Sequence, residues 1–327
     1  MSLTKDILRL IPTYRRLEAE RNALKEERNA LKDERNRVAA ELAGHRAAQG
    51  DSPPFFPVGH FYSPLPSHTE IREAFARGGF GPPFPTVDLN EAGQLARLER
   101  FAAWYPEQPF PETQTNGKRF YLKNPSYGHF DGIMLYSMLR EARPRRIVEV
   151  GSGFSSAAML DLNDGLLGGG VHFTFIDPDM TRLRLLLRPE DGQRVTLIEK
   201  RVQDVPLDVF RALGENDVLF IDSSHVSKIG SDVNRLYFDV LPALAPGVLI
   251  HIHDVAGNLE YPREWLDEGR AWNEQYLLRA FLMNNRDYRI ELFTGWLFNT
   301  RHAWFREKMP LCARGGGGQM WLRKLNR

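Results

Sequence analysis

The sequence predicts an α/β protein, a mostly parallel sheet with helices on both faces, preceded by a long helix built on heptads. Three observations predict it. From residue 145 onward short apolar strands alternate with helical stretches. The first of these strands runs directly into a glycine-rich turn and a helix, RIVEVGSGFSSAAML. Residues 20–40 carry a near-repeat, ERNALKE, ERNALKD and ERNRVAA, that reads as a helix with one apolar edge.

Composition narrows the function classes. A chain of 327 residues that is 42% hydrophobic can bury one large core and still have length for accessory segments. Its 43 basic and 42 acidic side chains leave a formal charge of +1, which removes the electrostatic case for nucleic acid or an anionic membrane as main partner. A small molecule or a glycan is the expected substrate class. The single cysteine, Cys312, excludes an intrachain disulfide and fits a reducing, cytoplasmic setting. No uncharged apolar run approaches the ~20 residues that a membrane span needs, so neither secretion nor insertion is expected.

Taken in order, the first element is the heptad helix, expected over 1–46. Leu10, Leu17, Leu24, Leu31 and Val38 recur every seven residues. With those at d, the a positions are Ile7, Tyr14, Arg21, Arg28, Arg35 and Leu42, a seam apolar at its ends and charged in its middle. The expectation is a homo-oligomer joined through this helix, against the alternative of a solvated charged helix with one greasy edge. Residues 47–87, with GDSPPFFPVGHFYSPLPSH and GGFGPPFP, are dense in proline, glycine and aromatics and read as a linker that partly adheres to the globular body. Residues 88–327 read as the globular domain. Its helical lead-in comprises NEAGQLARLERFAAWY and GIMLYSMLREA, with YLKNPSYGHFD between them.

The strands follow as RRIVEV (145–150), HFTFID (172–177), RVTLIE (194–199), DVLFID (217–222) and GVLIHIHD (247–254). YRIELF near 288 and GQMWLRK near 318 read as two further strands that need not be parallel. The GGGG at 315–318 reads as a loop without catalytic meaning.

The turn after the first strand places backbone amides and a helix N-terminus where a nucleotide-like ligand approaches. A dinucleotide expects G-x-G-x-x-G, and this chain has Gly151 and Gly153 with Ser156 at the third position. S-adenosylmethionine expects an acid two residues before the first glycine, and Glu149 stands there, positioned to reach the methionine amino group through water. The same carboxylate would repel a pyrophosphate. Ser152 and Ser155 complete the turn. Asp177, with Asp179 as a substitute, is the acid for ribose hydroxyls at the end of the second strand, while Gln203 and Asp204 at the end of the third suit the adenine edge.

VEVGSGFSS, FIDPD, VQDVPL and DVLFIDSSH with LPALAPGVLIHIHDV together resemble the class I S-adenosylmethionine-dependent methyltransferases. They look like the branch of small-molecule and sugar O-methyltransferases that includes the macrocin-type enzymes. The resemblance spans about residues 115–325. It implies a Rossmann-like, seven-stranded methyltransferase sandwich with strand order 3-2-1-4-5-7-6.

In that order the fourth and fifth strands end beside the cofactor, at Asp222-Ser223-Ser224-His225 and His251-Ile252-His253-Asp254. Methyl transfer needs placement of the acceptor and removal of its proton. His225 is the expected general base, a role the resemblance also implies, with Asp222 and Asp254 holding the acceptor. Matching positions in metal-dependent relatives hold a divalent cation, which makes Asp222, His253 and Asp254 the candidate ligands for Mg²⁺ or Mn²⁺. The competing reading has the two acids bind loops and substrate without an ion. His251, one step deeper on the same side of its strand, is expected to be structural. For the acceptor pocket the candidates are Tyr121, Asn124 and Tyr127 with Asp131 upstream, and Glu260, Tyr261, Trp265, Arg270, Trp272 and Asn273 downstream. The rival functions are a cofactor-binding scaffold working through the heptad helix, and a nicotinamide-dependent oxidoreductase.

Overall fold

The strand segments form one seven-stranded sheet of order β3-β2-β1-β4-β5-β7-β6 in the computed structural model, which describes residues 12–48, 55–78 and 84–326. The strands are β1 (Arg146–Val150), β2 (His172–Ile176), β3 (Val195–Ile198), β4 (Val218–Ile221), β5 (Leu249–Ile252), β6 (Tyr288–Phe293) and β7 (Met320–Lys324). β1 to β5 pair in parallel, and β7 is antiparallel to both β5 and β6. The central strands are apolar on both faces because helices cover both: Ile147, Val148, Leu219, Phe220, Ile250 and Ile252 are all buried.

The chain divides into two units after Pro66. In the first, helix α1 spans Pro12–Ala48, with Leu17, Leu24, Leu31 and Val38 exposed along it. Ile7 and Leu10 of the heptad pattern lie outside the described residues. In the second unit the structure departs from the expected linker. Residues 47–87 contain a helix, α2 (His68–Ala76), that contacts the turn Arg263–Asp267 and so belongs with the globular part. Its start is a capping box: Ser67 Oγ accepts from the Glu70 amide, and the Glu70 carboxylate accepts from the Ser67 amide.

The lead-in is helical as expected, with α3 (Glu91–Trp104) and α4 (His129–Ala142). α4 is buried from Phe130 to Leu139 and packs on α5 (Phe154–Gly165), the helix that follows the glycine turn. Charges tie these helices to the sheet. Arg97 on α3 pairs with Glu141 at the end of α4 and with Glu291 on β6, each at 2.6 Å.

The stretch between α3 and α4 is anchored by Arg119, whose side chain is only 2% exposed. Its guanidinium meets Asp161 at 2.9 Å, Asp164 at 2.7 Å and Asp191 at 2.7 Å, while Asp161 also accepts the backbone amides of Arg119 and Phe120. Among the described residues no helix is long and apolar enough to cross a membrane. Removing one partner of a buried ion pair strands the others, so Arg119→Ala is expected to cost about 3–5 kcal/mol, read as a lowered midpoint in urea unfolding.

Candidate active site

Parallel pairing sets the ends of β1, β4 and β5 side by side, and the turns leaving them build the site. Gly151, at φ +83°, turns the chain out of β1. A Cβ there would sit 1.8 Å from the Asp222 carbonyl oxygen, so no other residue lets the β1 and β4 ends approach this closely. The turn is closed by its own side chains. Ser156 Oγ accepts from the Gly153 amide at 3.0 Å, and Asp177 accepts from the Ser152 amide at 2.9 Å.

Glu149 departs from its expected role. It is fully buried, accepts from Ser155 Oγ at 2.5 Å and from Ser156 Oγ, and lines no part of the cavity beyond the turn. Burial pushes its carboxyl up to about 8, although both serine hydroxyls pull it down. Glu149, Ser155 and Ser156 therefore shape the turn from behind.

That cavity, of about 580 Å³, lies over the ends of β1, β2 and β4. It is lined by Gly151, Asp177, Gln203 and Asp222, with Ile176, Val202 and Ile229 as apolar walls. Asp177 thus faces it as the sequence indicates, whereas Asp179 is exposed. Gln203 also lines it, donating to the Gly230 carbonyl at 2.8 Å. Asp204 does not: it is exposed and paired with Arg201 at 3.1 Å, because the short helical turn Val202–Asp204 points it outward.

A second cavity, of about 530 Å³, opens beside β5. Asp131, His253, Asp254, Glu260, Tyr261 and Trp265 line it, together with Gly316, Gly317 and Gly318. The glycine run that read as a bare loop is a wall of this cavity. At Gly317 a Cβ would fall 2.2 Å from the Phe130 ring, so the wall lies flat only without a side chain. Among the described residues no lysine or arginine lines the second cavity, which holds three carboxylates.

Between the cavities sits His225. Its Nε2 lies 3.4 Å from Asp222 Oδ1, which faces the first cavity, and 3.4 Å from Asp254 Oδ2, which faces the second. Both His225 (φ 59°) and Asp254 (φ 55°) adopt left-handed backbone, a region that His and Asp enter more readily than most residues. His225 Nδ1 is 2.9 Å from Glu274 Oε2, and the His225 carbonyl accepts from the Asn273 and Glu274 amides. Trp272 lies against the ring at 4.5 Å.

Glu274 is the residue that sequence reasoning missed. A signal was present: it opens helix α6 (Glu274–Leu282) on the stripe shared with Leu278 and Leu282, all three buried. A carboxylate on an apolar stripe needs a buried partner.

The expected base, His225, is held protonated by its own neighbours. Burial works against a charge on His225, yet hydrogen bonds to Asp222 and Glu274 and the charges of Glu274 and Asp254 push it up to about 10. It therefore holds its proton at neutral pH. Asp222 is held below its ordinary value by His253 and His225 despite burial.

The candidate metal set also changes. One ligand atom from each of Asp222, His225 and Asp254 lies within 4.8 Å of the others. His225 stands where His253 was expected: His253 lines the second cavity with its Nε2 3.7 Å from Asp254 Oδ1 and its ring 5.1 Å from that of Tyr127 and 5.6 Å from that of His251, and stays outside the cluster. His251 is structural, fully buried and stacked on Phe220 at 3.7 Å.

The remaining acceptor candidates divide. Trp265 lines the second cavity, while Arg270 bridges Trp265 and Trp272 at 4.9 and 5.0 Å and lines neither. Asn273 accepts from the Ser227 amide at 2.6 Å and holds the loop after His225. Asn124 pins its own turn by donating to the Tyr121 and Tyr127 carbonyls. Tyr121 packs on Phe154, and buried Tyr127 accepts from Gln319 at 2.9 Å.

A family described as "Methyltransferase domain" matches residues 148–255. An uncharacterised protein of Archaeoglobus fulgidus is 33% identical over 169 residues, covering 49% of this chain and 75% of that protein. Among solved structures, CmcI with Mg and SAM is 20% identical, covering 68% of this chain and 84% of that one at a TM-score of 0.38. The O-methyltransferase TomG from Streptomyces achromogenes with SAM is 15% identical, covering 70% and 90% at a TM-score of 0.39. At these TM-scores the structural overlaps bear no weight.

Glu149 yields a pH test. Its folded-state value of about 8 exceeds the ordinary 4.5, so the native state binds the proton more tightly, and this stability, full below 4.5, is lost as pH rises through about 8. Glu149→Gln is expected to gain on the native chain in thermal unfolding between pH 5 and 9. Parallel pH profiles for the two proteins would refute it.

Proposed function

We propose that this chain, a class I S-adenosylmethionine-dependent methyltransferase, methylates a hydroxyl of a small molecule or sugar carrying no anionic group. The observation that carries this reading is the convergence of Asp222 and Asp254, one from each cavity, on the single His225 nitrogen between them. A donor in one cavity and an acceptor in the other would meet at that point.

The first cavity fits the cofactor. Its volume lies within the range of roughly 300–1,000 Å³ usual for such ligands. Asp177 offers a carboxylate to ribose hydroxyls, Gln203 an amide to the base edge, and Val202 and Ile229 apolar walls to a purine. Ser152 Oγ, buried in the turn without a protein partner, is a further polar group for the ligand's amino-acid end. Bound there, S-adenosylmethionine supplies a methyl group on a positively charged sulfur, and the Asp222 carboxylate favours that charge.

The second cavity argues for the acceptor class. Asp131, Asp254 and Glu260 facing it, with no lysine or arginine among the described residues of its lining, disfavour a phosphorylated or carboxylated molecule, while Tyr261 and Trp265 give flat surfaces for a sugar face. Asp254 would orient the reacting hydroxyl. Glu274 holds the imidazole of His225, whose Nε2, once it has released its own proton, would accept the hydroxyl proton where no ion occupies it; where it ligates an ion, the hydroxyl proton would pass to solvent instead.

The donor set of two carboxylates and an imidazole fits a divalent cation, with Asp222, Asp254 and His225 as holders. Nitrogen among the donors favours Mn²⁺ over Mg²⁺. Such an ion would supply Lewis acidity that lowers the acceptor hydroxyl's pKa. The nicotinamide reading has no support from the family, and a scaffold would have no need of His225 and Asp254 aimed at each other.

Turnover is read as S-adenosylhomocysteine released with a panel of neutral, basic and phosphorylated hydroxylated acceptors. His225→Ala is expected to lower kcat by about 10²–10⁴-fold, the span usual for a positioned proton-transfer group, with little change in KM for the cofactor. An unaltered kcat removes it from the reaction. Dialysis against EDTA should abolish the rate and Mn²⁺ restore it, and a rate indifferent to both eliminates the ion. Preference for the phosphorylated acceptors would refute the proposed acceptor class.

A further inference from the structure

We propose that α1 pairs with the same helix of a second copy of this chain as a parallel, in-register, two-stranded coiled coil. The apolar edge is the starting point. Leu17, Leu24, Leu31 and Val38 are 62, 65, 65 and 51% exposed along one line of the helix. Large apolar side chains at heptad spacing gain from a partner whose edge repeats at the same interval, and a second copy offers that by identity.

The flanking charges decide how the two helices run. With those four residues at d, the g positions are Glu20, Glu27 and Glu34, and two of the e positions are Lys25 and Lys32. In a parallel, in-register pair each g faces the e five residues further along its partner, which sets Glu20 against Lys25 and Glu27 against Lys32. An antiparallel pair sets g against g and e against e, so glutamate would face glutamate and lysine would face lysine.

The a positions bring each of Arg21, Arg28 and Arg35 opposite its own copy in such a pair, and the like charges are relieved by turning toward the partner's glutamates. Arg21, Arg28 and Arg35 can lay their aliphatic stems along the seam and reach, with their guanidinium groups, the partner's glutamate one position earlier at Glu20, Glu27 and Glu34. Three arginines at a also weigh against bundles of three or more helices, in which a positions are more enclosed. The pairing is independent of the methyl-transfer reading.

The sequence provides a clean chemical test, since the single native cysteine, Cys312, is buried. The full chain should show the mass of two copies by light scattering, and the double variant Leu24→Lys, Leu31→Lys the mass of one, with an unchanged melting transition of the globular part. Under mild oxidation Leu17→Cys should link to itself. A mixture of Leu17→Cys and Val38→Cys chains should give few mixed links. Self-linking with a two-copy mass supports the proposal. A single-copy mass, a mass of three or more copies, a double variant that still pairs, or links mainly between positions 17 and 38 would each overturn it.

Discussion

The site is organised by a charge balance that has to be struck out of water. Asp222, Asp254 and Glu274 bring three carboxylates to one imidazole, and His225 answers them by holding its proton. Like charges brought together in a poorly solvated place repel strongly unless a cation sits among them. The same requirement explains why the cluster could take a divalent ion. Either the proton on His225 or an external cation neutralises the acids, and the Nε2 nitrogen can serve only one of them at a time.

That balance depends on backbone geometry that the sheet imposes. Parallel pairing of β1, β4 and β5 brings Gly151, Asp222 and Asp254 to the same edge, and the close approach at Gly151 leaves no room for a Cβ. The turn is stiffened from behind by Glu149 with Ser155 and Ser156, which frees its outer surface for a ligand. Two left-handed residues then aim Asp254 and His225 at each other, and the packing of Trp272 and the carbonyl bonds at His225 hold that conformation in place.

The acceptor side is built from segments remote in sequence. Asp131 comes from α4, Trp265 from the turn after β5, and the glycines from the approach to β7. Gln319 joins the first and the last of these, donating to Tyr127 and to the Asp131 carbonyl and accepting from Trp321. Arg119 fixes the lead-in on the other side through Asp161 and Asp191.

The sequence by itself determined the order and type of the sheet elements, because apolar segments of strand length separated by helical stretches leave few other ways to bury them. It also determined the glycine turn, and which strand ends carry acids and histidines, since alternation and loop position follow from local chemistry. The capped helix after Ser67 was legible too, but its signal lay inside a proline-rich stretch that outweighed it. What only the tertiary structure decided concerns distance and burial. Asp204 and Gln203 are adjacent in sequence, yet one faces water and the other the cavity. His225 and His253 look alike in sequence, and only the fold sets one between Asp222 and Asp254 and the other in the wall of the second cavity. Glu274, nearly fifty residues from His225, and the glycines before β7 enter the site through folding alone, and the protonation state of His225 follows from neighbours that no local pattern connects.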